Sequence, residues 1–287
     1  MTTPAPIKGI MDISPYVGGD ASVEGLARIM KLSSNEGATG PSPKALAAYR
    51  EAGAELHRYP DGAAAALRAG LAEMYGLDAE RLICGNGSDE IISHLIHSYA
   101  GPGDEVVYSE HGFLMYPLGA MASGATPVKA AEIDYTASVD GFLAVVTERT
   151  KLVFVANPNN PTGPLMDSDD LESFCREISK KATVFVDEAY HEYVMDPNYR
   201  SMIGLVKEGK NIIVSRTPSK AHGLAGLRVG FVITTPEIAK RMESYFTDSL
   251  IIVVLRAAIA SYQDERFQSF TIQQNNRPRH AVTHYLD

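Results

Sequence analysis

The sequence predicts an α/β protein: a mostly parallel sheet with helices on both faces. Two observations carry this. Short β-rich runs alternate with helical runs through most of the chain, which is how strands joined by crossover helices read. Polar turns rich in glycine, proline and amides follow several of those runs, at the strand ends where open parallel sheets gather their ligands.

The strand candidates are RLIC (81–84), EVVYS (105–109), TPVKA (126–130), KLVFVA (151–156), TVFVDE (183–188), NIIVS (211–215) and VGFVI (229–233). Helical patterns lie between them at 42–53, 63–75, 89–100, 112–123 and 167–179, with Asp89 and Asp167 placed as N-caps or first-turn acids. Residues 1–40 read as a loop-like arm with Pro15, Gly18, Gly19, Gly37 and Gly40, shaped to wrap another surface. From about 235 the pattern turns helical, and the final NNRPRHAVTHYLD shows no strong period.

At 287 residues, with 45% hydrophobic and 21% charged, the chain can bury a sizeable core. A formal charge of −9 argues against nucleic acid as a partner and favours small metabolites. Cys84 and Cys175 sit far apart in apolar contexts, which predicts buried thiols in a reducing, cytoplasmic setting. The N-terminus lacks the apolar run of a signal peptide, and LIIVVL (250–255) stops at Arg256, too short for a membrane span.

The chemistry lies at the strand ends. GNGSDE (85–90) is a glycine-rich turn feeding a helix, whose backbone N–H groups could hold an anion, although such turns are more often structural. NPNNPTG (157–163) is a rigid turn carrying three amides, two of which suit turn capping. VDEAYHEY (186–193) puts Asp187 and Tyr190 at a strand end. It reads as surface polarity, as a metal cluster with Glu188 and His191, or as a carboxylate and phenol aimed at one ligand. The metal reading loses for want of a second nearby histidine and of a helical spacing. In VSRTPSKAHGLAGLRVGF (214–231), Lys220 has Thr217 and Ser219 before it and Arg228 after it. Alone it would be a solvated loop lysine. Together the four turns describe a site for a phosphorylated, ring-bearing aldehyde. Pyridoxal phosphate needs a lysine, an acid for its ring nitrogen, and donors for its phosphate.

The motifs ISPYVGG (13–19), KLSSNEGATGPSP (31–43), RYPDG (58–62), GNGSDEII (85–92), HGFLMYP (111–117), NPNNPTG, VDEAYHEY and SKAHGLAGLRVGF (219–231) resemble those of the fold-type I, class I/II aminotransferases. They are most similar to the histidinol-phosphate aminotransferase family, and the resemblance runs from about residue 13 to about 265. It implies a seven-stranded, mostly parallel large domain over 41–248. Residues 1–40 would supply an arm and part of a small domain, and 249–287 the helical start of that small domain. It also implies pyridoxal 5′-phosphate as cofactor, an amino donor with 2-oxoglutarate as acceptor, a homodimer, and no metal or membrane partner.

By this resemblance Lys220 matches the lysine that forms the internal aldimine, Asp187 pairs with the pyridinium, and Tyr190 and Asn160 bond the ring O3′. Phe113 stacks on the ring. Thr217, Ser219, Arg228 and the N–H groups of Ser88 and Asp89 hold the phosphate. Tyr59 matches a tyrosine that crosses a dimer interface to the neighbour's phosphate, and Tyr16 and Asn35 match positions on the substrate side. Pro218 and His222 depart from the bulky apolar or aromatic residues usual there. The family continues into a small domain whose arginine grips the substrate anion, and Lys240, Arg277 and Arg279 do not match its motif. The expectation is transamination of histidinol phosphate or an aromatic amino acid. The alternatives are a threonine-phosphate decarboxylase-like enzyme, or a truncated cofactor-binding protein with little turnover.

Overall fold

The structure, a computed structural model, describes residues 4–14, 24–25, 30–245 and 250–286. In chain order its elements are α1 (Pro43–Ala52), α2 (Ala65–Tyr75), β1 (Leu82–Gly85), α3 (Gly87–Tyr99), β2 (Glu105–Ser109), α4 (Met115–Ser123), β3 (Thr126–Ala130) and the short pair β4 (Glu132–Ile133) and β5 (Thr136–Ala137). There follow α5 (Val139–Leu143), β6 (Thr150–Ala156), α6 (Ser168–Ile178), β7 (Thr183–Asp187), α7 (Ile203–Lys207), β8 (Ile212–Arg216), β9 (Gly230–Ile233), α8 (Pro236–Glu243), α9 (Ile252–Tyr262) and α10 (Glu265–Leu286).

Seven strands form one sheet in the order β1-β9-β8-β7-β6-β2-β3, in which β9 alone runs antiparallel to its neighbours. The mostly parallel seven-stranded α/β sheet expected from the sequence is therefore present. Strand residues alternate between two buried layers. Val107, Val153, Val155, Val184, Val186 and Val214 pack with α2, α6 and α9 on one face. Val106, Leu152, Phe154, Phe185, Ile213 and Val232 pack with α3, α4 and α8 on the other. With both faces covered, the strands need apolar residues at every position, and that is why they read as near-continuous apolar runs.

Local chemistry sets the helix starts. Asp167 caps α6, accepting from the N–H groups of Asp169 (2.8 Å) and Asp170 (3.1 Å). Ser42 caps α1 through the N–H groups of Lys44 and Ala45, and its hydroxyl donates to Asp264 at 2.6 Å, tying α1 to the junction of α9 and α10.

The structure corrects several expected boundaries. The helix expected from 89 starts at Gly87, two residues earlier and within the glycine turn, and the one expected from 112 starts at Met115. Gly112 instead closes a tight turn onto the Ser109 carbonyl at 2.8 Å, where a Cβ would stand 2.9 Å from that oxygen. The β4–β5 hairpin, α5 and α7 are too short to have given a periodic signal. The tail expected to be aperiodic forms α10, in which only Thr271 is buried; a helix exposed on nearly all sides needs no apolar stripe. Part of the expected arm, Gly9 to Asp12, packs against the chain's own α4, with Gly9 close to the Met121 carbonyl.

Candidate active site

The C-terminal ends of β1, β2, β6, β7 and β8, together with the N-terminal end of antiparallel β9, meet at one edge of the sheet. A cavity of about 680 Å³ opens there. It is lined by Asn35, Ser88, Asp89, Phe113, Asn160, Asp187, Tyr190, Thr217, Ser219, Lys220 and Arg228. Eleven residues singled out in the sequence thus converge across some 190 positions of chain, because each ends or follows a strand of the same sheet.

At one end of the cavity the backbone is packed too closely for side chains. Gly87 has φ +83°, a left-handed conformation suited to glycine, and a Cβ there would meet the Arg228 guanidinium at 2.5 Å. A Cβ on Gly230 would stand 2.7 Å from the Ser88 nitrogen. The two glycines let β9 seat against the first turn of α3, whose N–H groups and dipole favour an anion. Arg228 reaches the same place and pairs with Asp89 at 2.9 Å. The buried Thr217 hydroxyl donates to the Val229 carbonyl and shares a 2.8 Å hydrogen bond with Ser219, so both hydroxyls are held before any ligand arrives.

The same cavity is lined by Asp187, 6% exposed, accepting from the Tyr116 hydroxyl at 2.9 Å and the Ala189 N–H at 3.1 Å. Burial pushes its carboxyl up to about 6, against the lowering effect of those hydrogen bonds and of the Lys220 charge. No cation pairs with it among the described residues. Glu188 next to it turns the opposite way into a buried pair with Arg216 at 2.7 Å. The carboxylates therefore diverge, and no group of metal-ligating side chains forms among the described residues. Lys220 Nζ lies 5.2 Å from the Tyr190 ring centroid, and Asn35 donates to the Tyr190 hydroxyl at 3.1 Å.

These features fit pyridoxal phosphate: an N–H cradle beside Arg228, hydroxyls at Thr217 and Ser219, a buried carboxylate with no ion-pair partner among the described residues, and a lysine lining the same cavity. Tyr116 had no assigned role in the sequence reading although it lies in HGFLMYP; its position three residues after Phe113 was the available signal. Tyr59 is 96% exposed and does not line the cavity within this chain. Tyr16 lies outside the described residues. A second cavity, of about 490 Å³, adjoins the first through Asn35, Asn160, Pro161 and Tyr190. Its lining includes Arg279, to which the sequence gave no place; α10 carries it there.

Residues 27–281 match the family model described as aminotransferase class I and II. The chain is 47% identical over 279 residues to the histidinol-phosphate aminotransferase of Paramagnetospirillum magneticum, covering 96% of this chain and 76% of that protein. It is 44% identical over 284 residues to the histidinol-phosphate aminotransferase of Rhodospirillum centenum, covering 99% and 78% respectively. The fold is similar to the crystal structure of histidinol-phosphate aminotransferase from Sinorhizobium meliloti in complex with pyridoxal-5′-phosphate, with a TM-score of 0.83 and 27% identity over 87% of this chain and 68% of that one.

Proposed function

The chain belongs to the class I and II aminotransferases and acts by pyridoxal-phosphate-dependent transamination; from that premise we propose histidinol phosphate as its amino donor and 2-oxoglutarate as acceptor. One observation supports the assignment of roles: the lysine, the buried acid and the residues of the anion cradle all line a single cavity.

When bound, pyridoxal phosphate supplies an aldehyde that captures an amine and an electron sink that makes the donor's Cα proton acidic. Arg228, the Ser88 and Asp89 N–H groups, Thr217 and Ser219 hold its phosphate. Asp89 keeps the guanidinium aimed at the cradle through their 2.9 Å pair. Asp187 keeps the ring nitrogen protonated, and Tyr116 fixes the orientation of that carboxylate. Tyr190 and Asn160 would bond the ring O3′, the Tyr190 hydroxyl already accepting from Asn35, and Phe113 would cover the ring. Lys220 would form the bond to the cofactor's aldehyde, and its amine, when free, would serve as the base that holds and moves a proton.

The second cavity receives the rest of the donor. Arg279 is the cation nearest to hand there for an anionic substrate group. We assign residues 41–248 to the cofactor-binding domain; beyond that bound, α9 still packs into the same core. The functional assembly is a homodimer in which Tyr59, projecting from one subunit, reaches the phosphate of its neighbour. No described helix is long and apolar enough to cross a membrane.

The test is product analysis by mass after incubating the cofactor-loaded protein with histidinol phosphate, phenylalanine or threonine phosphate, each with 2-oxoglutarate. The expected result is imidazole acetol phosphate with glutamate, formed from histidinol phosphate in preference to the product from phenylalanine. Release of carbon dioxide from threonine phosphate would point to the decarboxylase reading instead.

A further inference from the structure

Outside the cavity, one enclosed carboxylate fastens two of the turns that shape it. Glu132 opens β4, and its side chain is 3% exposed. Its Oε1 accepts from the Ser109 hydroxyl and from the His111 backbone N–H at 3.0 Å, while Oε2 lies 2.8 Å from His111 Nδ1. Burial opposes ionisation, but the hydrogen bonds from Ser109 and His111 outweigh it and hold the carboxyl below its ordinary range. The anchored residues, 109–111, begin the turn that leads from β2 to Phe113.

The far side of the same hairpin holds the second turn. The Tyr135 carbonyl accepts from the Thr162 hydroxyl at 2.9 Å. Asn159 Nδ2 donates to Thr162 Oγ1 at 2.7 Å and also to the His111 carbonyl at 3.3 Å, which closes the circuit between the two turns. The His111 and Tyr135 rings meet edge to face at 5.2 Å. Asp134 and Tyr135, at the hairpin's tip, both have positive φ, 48° and 60°. Glycine and asparagine usually occupy such a two-residue turn, and a tyrosine there stays left-handed only when its surroundings hold it. A hairpin of two-residue strands has no core of its own to do this. The contacts to 109–111 and to 159–162 supply the hold.

We propose that the β4–β5 hairpin is a strap over the active site and that Glu132 is a positioning residue for the cofactor ring. Through Ser109 and His111 it sets the turn carrying Phe113; through the His111 carbonyl and Asn159 it sets the turn carrying Asn160. The inference rests on the reading above, in which Phe113 and Asn160 contact the ring. None of the strap's hydrogen bonds reaches Arg228, Ser88, Thr217 or Ser219, so the ring end and the phosphate end of the cofactor are separable by experiment.

The experiment compares the parent protein with Glu132→Ala and Thr162→Val. It measures pyridoxal phosphate affinity, the circular dichroism induced in the bound cofactor, and the inhibition constant of inorganic phosphate as a competitor of cofactor binding. Glu132→Ala frees three groups that had bonded a carboxylate, the Ser109 hydroxyl, the His111 backbone N–H and His111 Nδ1, and the expected result is a loss of cofactor affinity of about tenfold. The induced dichroism should shrink, kcat should fall with little change in the donor's KM, and the phosphate constant should stay within about twofold, because the anion cradle is untouched. Thr162→Val, which removes one hydroxyl at constant shape, should give the same pattern at about threefold; should Glu132→Ala fail to fold, this variant decides. Parent-like affinity and dichroism in a folded variant would overturn the strap alone, as would a phosphate constant that worsens in step with cofactor affinity. A parent protein that binds no pyridoxal phosphate would overturn the underlying reading and the strap with it.

Discussion

Replacing Asp187 with asparagine should stabilise the cofactor-free protein while disabling it. Burial raises this carboxyl from 3.8 to about 6. The folded state thus holds its proton more tightly than the unfolded chain, so from about pH 4 to pH 6 the folded state binds more protons and the unfolding free energy falls as pH rises. Above the folded value the full cost of an ionised, enclosed carboxylate is present, about 3 kcal/mol at 1.36 kcal/mol per tenfold change in proton affinity. Asparagine keeps the shape, can accept from the Ala189 N–H and can share a hydrogen bond with the Tyr116 hydroxyl, but carries no charge. Urea unfolding of both cofactor-free proteins, at one fixed protein concentration, should show Asp187→Asn more stable by about 2–3 kcal/mol at pH 8, with the difference fading toward pH 4.5. With pyridoxal phosphate the order reverses. The ring nitrogen loses its counter-charge, and breaking such a buried pair costs about 3–5 kcal/mol, a loss of affinity of at least about a hundredfold. An asparagine variant no more stable than the parent at pH 8, or a stability difference that does not change with pH, would refute the electrostatic account of this site.

Lys220→Ala should abolish the cofactor adduct trapped by borohydride and lower transamination by about 10²–10⁴-fold, measured in single turnovers with histidinol phosphate. Gly230→Ala places a methyl 2.7 Å from the Ser88 nitrogen and should push the α3 terminus away from the cradle. At about 1–3 kcal/mol of strain, that predicts a loss of cofactor and inorganic phosphate affinity together, read by competition titration. Phe185, fully buried at the sheet's centre between Phe154 and the helices of that face, should cost about 3–5 kcal/mol as alanine in urea unfolding.

The sequence determined what is local or repeats along the chain. Apolar runs such as VVY in β2 and VFV in β6 and β7, bounded by turns of glycine, proline and asparagine, made the strands and their order in the chain legible. The motifs at their ends singled out residues that the fold gathers around one cavity, because a lysine flanked by hydroxyls with an arginine eight residues on keeps its spacing whatever the rest of the chain does. Even so, two of those residues gained their setting only from the fold: Asp89 faces Arg228 across 139 positions, and Asp187 meets Tyr116 across 71. The insertion of antiparallel β9 between β1 and β8 left no mark on composition, since a buried strand is apolar whichever way it runs. Nor did the Glu132 strap, whose strands are two residues long, or α10, whose exposed faces carry no period. Periodicity reports only how a segment divides itself between core and solvent. Which buried polar group faces which, and how far a carboxylate's proton affinity moves as a result, is fixed by distances between segments that only the packed chain establishes.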